Sequence, residues 1–196
     1  MKLTKPILKQ IIKESLEDEY KEKLLTIFNA GNHEQAIELS KQVGMEDFLV
    51  GANLEGEDLQ GANLTGAILT GSDANLLLAK SADLTGADLR SANLKWANLT
   101  DANLTDADLT GAVLYRTNLK GANLRSANLR GANLRGANLT DANLTDAVLR
   151  DADLYNAVLR GANLSKVYLY NANLTGANLS NIKYDKDTVW PEGFTP

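Results

Sequence analysis

Cys and His, which often carry catalysis or hold metals, are nearly absent from this sequence. It contains no Cys, a single His at position 33, and no phosphate-binding motif of the GxxxxGK[ST] type. A thiolate nucleophile and a Cys-type metal site therefore lack the residue they need, and a Ser/His/Asp set would depend on the one remote His. His33 falls in the first turn of a predicted helix, far from any pattern of ligands, and we interpret it as an ordinary surface residue. The sequence predicts no enzyme, no cofactor and no metal site.

The residues that could act chemically are instead cations and aromatic rings, and their chemistry is recognition. Trp, Tyr and Arg dominate the energetics of binding interfaces, and a cation over an aromatic ring contributes about 0.5–1 kcal/mol at an exposed site. One group consists of Lys95, Trp96, Tyr115, Arg116, Arg135 and Tyr155, and a second of Arg130, Arg150, Tyr168 and Tyr170. Whether the members of each group meet depends on the elements that position them.

All of these side chains lie within a five-residue repeat, Ala-Asn/Asp-Leu-X-X, which runs from Gly51 to about Asn181. With Leu as the centre there are 26 repeats; Leu fills 24 centres, and Ala fills 21 of the positions two residues earlier. A period of five fits neither the 3.6 of a helix nor the 2 of a strand. Gly stands two residues after the centre in 11 repeats, as a type II turn requires. We expect another turn type where Trp96 or Arg116 takes that place.

Short extended sides joined by regular corners predict a solenoid whose stacked coils bury a ladder of Leu and Ala. The repeat resembles the pentapeptide-repeat family, many of whose members are cyanobacterial, over about two-thirds of the chain. The resemblance implies a mainly β protein, a right-handed four-sided parallel β-helix with about 20 residues per coil. On four sides the repeats make about 6.5 coils, a rod roughly 30 Å long. A rod filled with Leu leaves no interior pocket for catalysis.

Three segments follow from this interpretation: an N-terminal helical segment (residues 1–46), the β-helix (47–181) and an aromatic tail (182–196). The first segment predicts three helices, over about residues 4–16, 18–30 and 32–44. We expect them to cap the first coil, with a separate recognition module as the alternative. The tail predicts a lid over the last leucines, formed by Ile182, Tyr184, Val189, Trp190 and Phe194.

The repeat is interrupted once, at residues 72–81. If the register is kept, Ala74 and Ala79 take two Leu positions, Leu77 takes an Ala position, and Leu76 and Leu78 point outward. These two leucines would then form an apolar spot that could receive the helical segment. The other frame treats residues 74–76 as the true repeat and would rotate everything later by one side. We favour the first frame, because it conserves much of the core volume.

The four-sided geometry implied by the resemblance would stack outward residues 20 apart into columns. One column would hold Lys95, Tyr115, Arg135 and Tyr155, flanked by Trp96, Val113 and Arg116. Rings and cations stacked at ~4.8 Å would pair by cation–π contacts. Two interpretations stay open: a self-satisfied ladder that only stiffens the rod, or a face that binds a partner. The second group would stack in the same way and form local ion pairs.

The charge balance bears on the class of partner. Residues 52–181 carry 13 acidic and 11 basic residues, and the whole chain has a net charge of −5. Because neither sign forms a stripe, we expect no direct binding of nucleic acid. We predict a non-catalytic scaffold or adaptor that presents its outer face and its helical head to a protein partner. The alternative is a DNA-mimicking inhibitor of a DNA-handling enzyme such as gyrase, since some members of the family resemble DNA. No apolar stretch is long enough to span a membrane, so we expect a cytoplasmic protein, monomeric or dimeric.

Overall fold

The computed structural model describes residues 19, 21–28, 31–43, 49, 54–56, 58–59 and 61–196. Residues 21–28 are helical, and a further helix spans His33–Val43. These are the second and third of the predicted helices; the one predicted over residues 4–16 lies outside the described residues. No helix among the described residues is long and apolar enough to cross a membrane.

Gly31 separates the two helical stretches. Its φ of 84° is left-handed, and its N–H donates to the carbonyl of Phe28 at 3.0 Å while the next N–H donates to Ile27 at 3.2 Å. This pair of bonds is a Schellman motif, which ends a helix and satisfies its last carbonyls. The helices place Leu24, Phe28, Ala36 and Ile37 in one continuous cluster of buried side chains with the first leucines of the solenoid. The core of the rod therefore continues into the helical segment.

The rest of the chain is a coil of 20 residues per turn with four sides. Of 23 isolated parallel β-bridges, 22 join residues 20 apart in the sequence, from Asp58↔Leu78 onward. We number the sides in chain order through the coil of residues 72–91, so that sides 1 to 4 pass through Asp73, Leu78, Asp83 and Asp88. Side 1 then carries Asp73, Asn93, Val113, Asn133, Asp153 and Asn173. The central Leu and the preceding Ala face inward and are buried in nearly every repeat.

A repeat with Asn or Asp before its central Leu can use all five of its backbone amides. In the repeat Ala82–Gly86, the first amide closes the turn at 3.2 Å, the second donates to the coil before at 2.9 Å, and the third and fifth donate to the coil after at 2.7 and 2.8 Å. The fourth amide donates to the Asp83 carboxylate at 3.1 Å. The Asn or Asp before the central Leu therefore completes the hydrogen bonding of the backbone, which a buried or stacked chain needs.

Six repeats have an apolar residue or Tyr where this acceptor should stand. Those residues are Ile68, Leu78, Val113, Val148, Val158 and Tyr168. Their side chains cannot accept a hydrogen bond from the amide two residues later in the way that Asn or Asp does. At these positions the backbone amide loses its side-chain acceptor, and an apolar or aromatic side chain faces outward instead.

The corners correct one prediction. Trp96 and Arg116 have φ values of 59° and 54°, and thirteen other non-Gly residues at described corners are also left-handed. The expected second turn type is wrong: these corners keep the same hydrogen bond across the turn, 3.2 Å in both cases. A left-handed non-Gly residue costs roughly 1–2 kcal/mol. The corner amides also bond to the next coil, as Trp96 does to the carbonyl of Tyr115 at 3.0 Å, and this pairing holds the conformation.

The interruption at residues 72–81 keeps the register. Ala74, Leu77 and Ala79 point inward and are at most 5% exposed. The bridges Asp73↔Asn93 and Leu78↔Asn98 continue the ladders without a shift. The frame that we favoured is the one observed, because Leu77 occupies the volume that the two alanines leave.

The tail first extends the solenoid and only then covers its end. Bridges continue to Lys183 and to Val189, the latter 21 residues from its partner Tyr168. Trp190 and Phe194 then stack at 5.3 Å and pack, with Ile182, partly buried against the core. Tyr184 is 51% exposed but contacts Trp190 edge to face, with ring centroids 5.6 Å apart, whereas Val189 is 37% exposed. The pairing of Val189 with Tyr168 turns the Val189 side chain outward, so Val189 is not part of the lid we predicted.

Candidate binding surface

The first group of predicted residues meets at the corner between sides 1 and 2, and we call it the corner cluster (Lys95, Trp96, Tyr115, Arg116, Arg135, Tyr155). The rings of Trp96 and Tyr115 contact edge to face, with centroids 5.8 Å apart and planes at 87°. The Arg116 guanidinium lies 4.8 Å from the Trp96 centroid and 5.3 Å from that of Tyr115. One cation therefore joins two rings from successive coils.

The next two coils repeat the pairing with different residues. The Arg135 guanidinium lies 4.5 Å from the Tyr155 ring centroid and donates through Nη1 to Asp153 at 3.1 Å. Arg135 is held from two directions, by a ring at its own corner and by a carboxylate on side 1. Because exposed ion pairs contribute only ~0.2–1 kcal/mol, this contact serves mainly to orient the guanidinium.

Lys95 belongs to the same surface without a ring contact among the described residues. It lines a shallow, open depression together with Asn75, Leu76, Asn93 and Trp96. Trp96 is 47% exposed. The N-terminal end of the corner cluster is therefore a shallow depression of mixed polar and apolar lining beside the half-exposed Trp96 ring.

The second group meets at the corner between sides 4 and 1, and we call it the tyrosine cluster (Arg130, Arg150, Tyr168, Tyr170). Tyr168 and Tyr170 stack with centroids 6.4 Å apart and planes at 26°. The Arg150 guanidinium lies 5.4 Å from the Tyr170 centroid. Asp151 lies 3.4 Å from Arg150 Nε and 3.9 Å from Arg130 Nε. Arg130 and Arg150 therefore form ion pairs, but with a carboxylate that the sequence analysis did not name.

The carboxylates that organise both clusters, Asp151 and Asp153, are absent from the predicted site. Column arithmetic groups residues 20 apart, whereas Arg135 reaches Asp153, 18 residues later and on the neighbouring column. The only signal in the sequence is that Asp151 stands one position after the column of Arg150, and Asp153 two positions before the column that holds Arg135 and Tyr155. These offsets become contacts only once the side-chain directions at a corner are known.

Other outward columns satisfy their own polar groups. Side 3 repeats one pattern, in which a Thr hydroxyl and amide donate to the Asn or Asp two residues earlier, and an Asn amide donates to the Thr of the coil before. On side 4, the bonds that Arg90 donates to Asp88 lower the pKa of that carboxyl, against the effect of its partial burial. The hydrogen bond from Thr85 likewise lowers the pKa of Asp83. On these surfaces, the polar side chains named here therefore already have hydrogen-bond or ion-pair partners.

The predicted helix-docking spot is open. Leu76 and Leu78 are 49% and 40% exposed, so the described helical residues do not cover them. The buried residues of those helices instead continue the core of the rod. Docking of the helical segment on these two leucines stays a prediction. Within the described residues, no three His, Cys, Asp or Glu side chains are grouped to hold a metal ion.

Comparison with known proteins agrees with this architecture. Residues 49–75, 80–106, 102–141 and 142–181 match the family Pentapeptide repeats, in eight copies. The chain belongs to the pentapeptide repeat family, as its resemblance to that family predicted, and membership implies a right-handed quadrilateral β-helix. No curated protein matches the sequence.

Several solved pentapeptide repeat proteins are similar in sequence. HetL, involved in the regulation of heterocyst differentiation in the cyanobacterium Nostoc sp. strain PCC 7120, is 33% identical over 68% of this chain and 72% of its own, with a TM-score of 0.39. A protein of the Arabidopsis thaliana thylakoid lumen is 28% identical over 62% and 71%, with a TM-score of 0.34. Another protein from Nostoc PCC 7120 is 41% identical over 55% and 77%, with a TM-score of 0.29.

Proposed function

We propose that this protein is a non-catalytic scaffold that holds a protein partner on its outer wall, through the corner cluster. The observation that carries the proposal is the run of ring and cation contacts from Trp96 to Tyr155, exposed at one corner of a rod whose interior is filled. Trp, Tyr and Arg are the residues on which interfaces depend most. The tyrosine cluster is a second patch of the same chemistry.

The interior supports this reading because it offers no space for a substrate. The central leucines of the middle coils, Leu94 to Leu164, are at most 1% exposed. Catalytic and cofactor sites are concave and need convergent polar groups. Side chains that point inward here are almost all Leu and Ala, so recognition belongs to the wall.

The corner cluster is also preorganised. Each guanidinium is already held by a ring, a carboxylate or both, at distances between 3.1 and 5.3 Å. Ordering a long side chain on binding costs ≈ 0.5–1.5 kcal/mol. A partner that meets an ordered Arg avoids most of that cost, which favours a binding face over a ladder that only stiffens the rod.

The proposal is tested by partner capture from the native cell extract with the full chain as bait. The variant combines Tyr115→Ala with Arg135→Ala, and its matched control combines Lys120→Ala with Arg125→Ala, which lie at other corners. Both should keep the wild-type circular dichroism spectrum, since all four side chains point outward. We expect capture to be lost only in the first variant. Undiminished capture by the Tyr115/Arg135 variant would remove the corner cluster as the interface.

The helical segment acts as a cap in this proposal. A chain lacking residues 1–46 should recover the same partner as the full chain, provided that its open end is kept from aggregating. Loss of the partner, with the dichroism of the solenoid retained, would instead assign recognition to the helices.

The alternative, a DNA-mimicking inhibitor of an enzyme such as gyrase, has less support. The 13 acidic residues between positions 52 and 181 are distributed over several columns and interleaved with 11 basic ones. A surface that imitates the DNA backbone needs one negative charge every few ångströms along a continuous line. Inhibition of gyrase supercoiling by the purified chain at equimolar concentration would reverse this preference.

A further inference from the structure

The corner cluster and the tyrosine cluster flank the same side of the rod. The first occupies the corner between sides 1 and 2, and the second the corner between sides 4 and 1. Side 1 lies between them, and its Asp153 is the carboxylate that Arg135 contacts. We call the outward positions of side 1 and of its two corners, over residues 93–176, the side-1 strip.

The strip is positively charged although the chain is acidic. Its cations outnumber its acids by five to two. The cations are Lys95, Arg116, Arg130, Arg135 and Arg150, and the acids are Asp151 and Asp153. The remaining positions between residues 52 and 181 hold six bases and 11 acids. A nearly neutral total therefore conceals a net charge of +3 on the strip and −5 on the rest of the solenoid.

The two acids do not consume the binding capacity of the arginines. Asp151 is shared by Arg130 and Arg150, at 3.9 and 3.4 Å, and the one described cation that pairs with Asp153 is Arg135, at 3.1 Å. A guanidinium has five N–H donors and no acceptor. Arg116 has rings but no carboxylate among its described contacts. Most guanidinium N–H donors of the strip therefore have no carboxylate partner among the described contacts.

The strip and the neighbouring edge of side 4 also carry apolar surface. At these positions an apolar residue or Tyr replaces the Asn or Asp that would accept a backbone hydrogen bond. Of the six repeats that lack an Asn or Asp acceptor, three stand at this place: Val113 on side 1, and Val148 and Tyr168 at its edge on side 4. The amides left without that acceptor belong to Tyr115, Arg150 and Tyr170, all members of the strip. A surface ladder that only stiffened the rod would gain nothing from this exchange.

The dimensions suit a short segment of polypeptide. Across side 1, Arg130 and Arg135 are five residues apart in the sequence, so their Cα atoms are separated by at most about 17 Å. Along the axis, the strip extends over four steps of ~4.8 Å, or about 19 Å. An extended segment of about six residues, at ~3.3 Å each, covers that length.

From this charge, donor supply and apolar content, we propose that the side-1 strip binds an acidic segment of the partner protein, with its carboxylates on the arginines and its apolar side chains on the rings. This inference rests on the proposed scaffold function and specifies its partner. Single-stranded nucleic acid is disfavoured because two carboxylates lie within the strip and the surrounding surface is negative, which repels a continuous polyanion.

The test uses the full chain and fluorescence anisotropy at 50 mM salt, with a fluorescein-labelled 12-residue peptide of alternating Glu and Leu as the probe. Its counterparts are the peptide with Lys in place of Glu and a 12-nucleotide oligothymidylate. Wild-type protein should bind the Glu peptide at least tenfold more tightly than either counterpart. Combined Arg130→Glu and Arg135→Glu substitutions should weaken that binding at least tenfold. The control, Arg125→Glu with Arg160→Glu, makes the same change in net charge outside the strip and should weaken it less than twofold.

Equal losses in the two charge-reversed variants would overturn the inference, since they would show that only total charge matters. So would oligothymidylate binding as tight as that of the Glu peptide. If the native partner is captured through Tyr115 and Arg135 but the Glu peptide does not bind, the scaffold function stands and the acidic segment is wrong. If capture does not depend on those two residues either, both proposals fail.

Discussion

Ser72 and Thr117 occupy the same inward position in their repeats, which Ala usually fills. Only one of their two hydroxyl groups has a hydrogen-bond partner. Thr117 Oγ1 donates to the carbonyl of Leu94 at 2.6 Å. Ser72 is fully buried, and its Oγ has no hydrogen-bond partner. A buried polar group without a partner costs about 1–3 kcal/mol. Single hydroxyl groups thus stabilise or destabilise the rod according to whether a carbonyl of the neighbouring coil is in reach.

We therefore expect Ser72→Ala to raise the free energy of unfolding by about 1 kcal/mol, because it removes the unpaired hydroxyl and restores the usual residue. Thr117→Ala should lower it by a similar amount, because it deletes a hydrogen bond and a methyl group. Urea denaturation followed by circular dichroism measures both. A loss of stability in the Ser72 variant would show that its hydroxyl has a partner in solution.

At the scale of the element, the corner turn is the unit that sequence alone predicted least well. The inward ladder, the 20-residue columns and the meeting of Trp96 with Tyr115 and Arg116 all follow from spacing once four sides are assumed. The left-handed φ of Trp96 does not, because local preference argues against it. What stabilises it is pairing with a residue 19 positions away. The Arg135–Asp153 contact was missed for a related reason, since it depends on side-chain direction at the turn.

Corners also constrain one another along a column. The side chain of Asp101 leans over the next corner, so that a Cβ added at Gly121 would meet its carboxylate, whereas one added at Gly131 meets nothing within 4 Å. Both glycines have nearly the same φ, 67° and 64°. The Asp101 carboxylate therefore occupies the space that a side chain at position 121 would need, whereas the Asp151 carboxylate accommodates Asn171 in the next coil and accepts a hydrogen bond from its amide at 2.8 Å.

Gly121→Ala should accordingly lower the free energy of unfolding by more than Gly131→Ala, which carries only the left-handed penalty of roughly 1–2 kcal/mol. Adding Asp101→Gly should remove the excess, as a double-mutant cycle would reveal. Thermal unfolding of the wild type, the three single variants and the Asp101→Gly/Gly121→Ala double variant supplies the comparison. Equal effects of the two alanines would mean that the Asp101 side chain rotates away at no cost.

At the scale of the whole molecule, the constant coil length means that the corner at which an outward side chain lies depends on the number of residues before it. Between residues 58 and 183 the bridges keep a spacing of 20 without exception. Adding one repeat would leave the interior periodic but turn every later side by a quarter of a revolution. Adding four repeats would leave each column in place.

Two insertions after Thr140 test this arithmetic. Duplication of residues 121–140 keeps a copy of Arg135 beneath Tyr155, so partner capture should persist. Duplication of residues 136–140 moves Tyr155 to another corner, so capture should be lost although circular dichroism still reports a folded solenoid. If the variant with the five-residue insertion still captures the partner, Tyr155 does not need to lie next to Arg135 for binding.

The amides that lack an Asn or Asp acceptor have a consequence for solvent exchange. Most backbone protons in a coil are committed to a turn, to a neighbouring coil or to a side chain, and protons held in this way exchange slowly with deuterium. The amides of Thr70, Lys80, Tyr115, Arg150, Arg160 and Tyr170 have no such side chain, so they should exchange early. Three of them, Tyr115, Arg150 and Tyr170, lie on the side-1 strip. Slowing of these three on addition of a partner would locate the contact without any substitution.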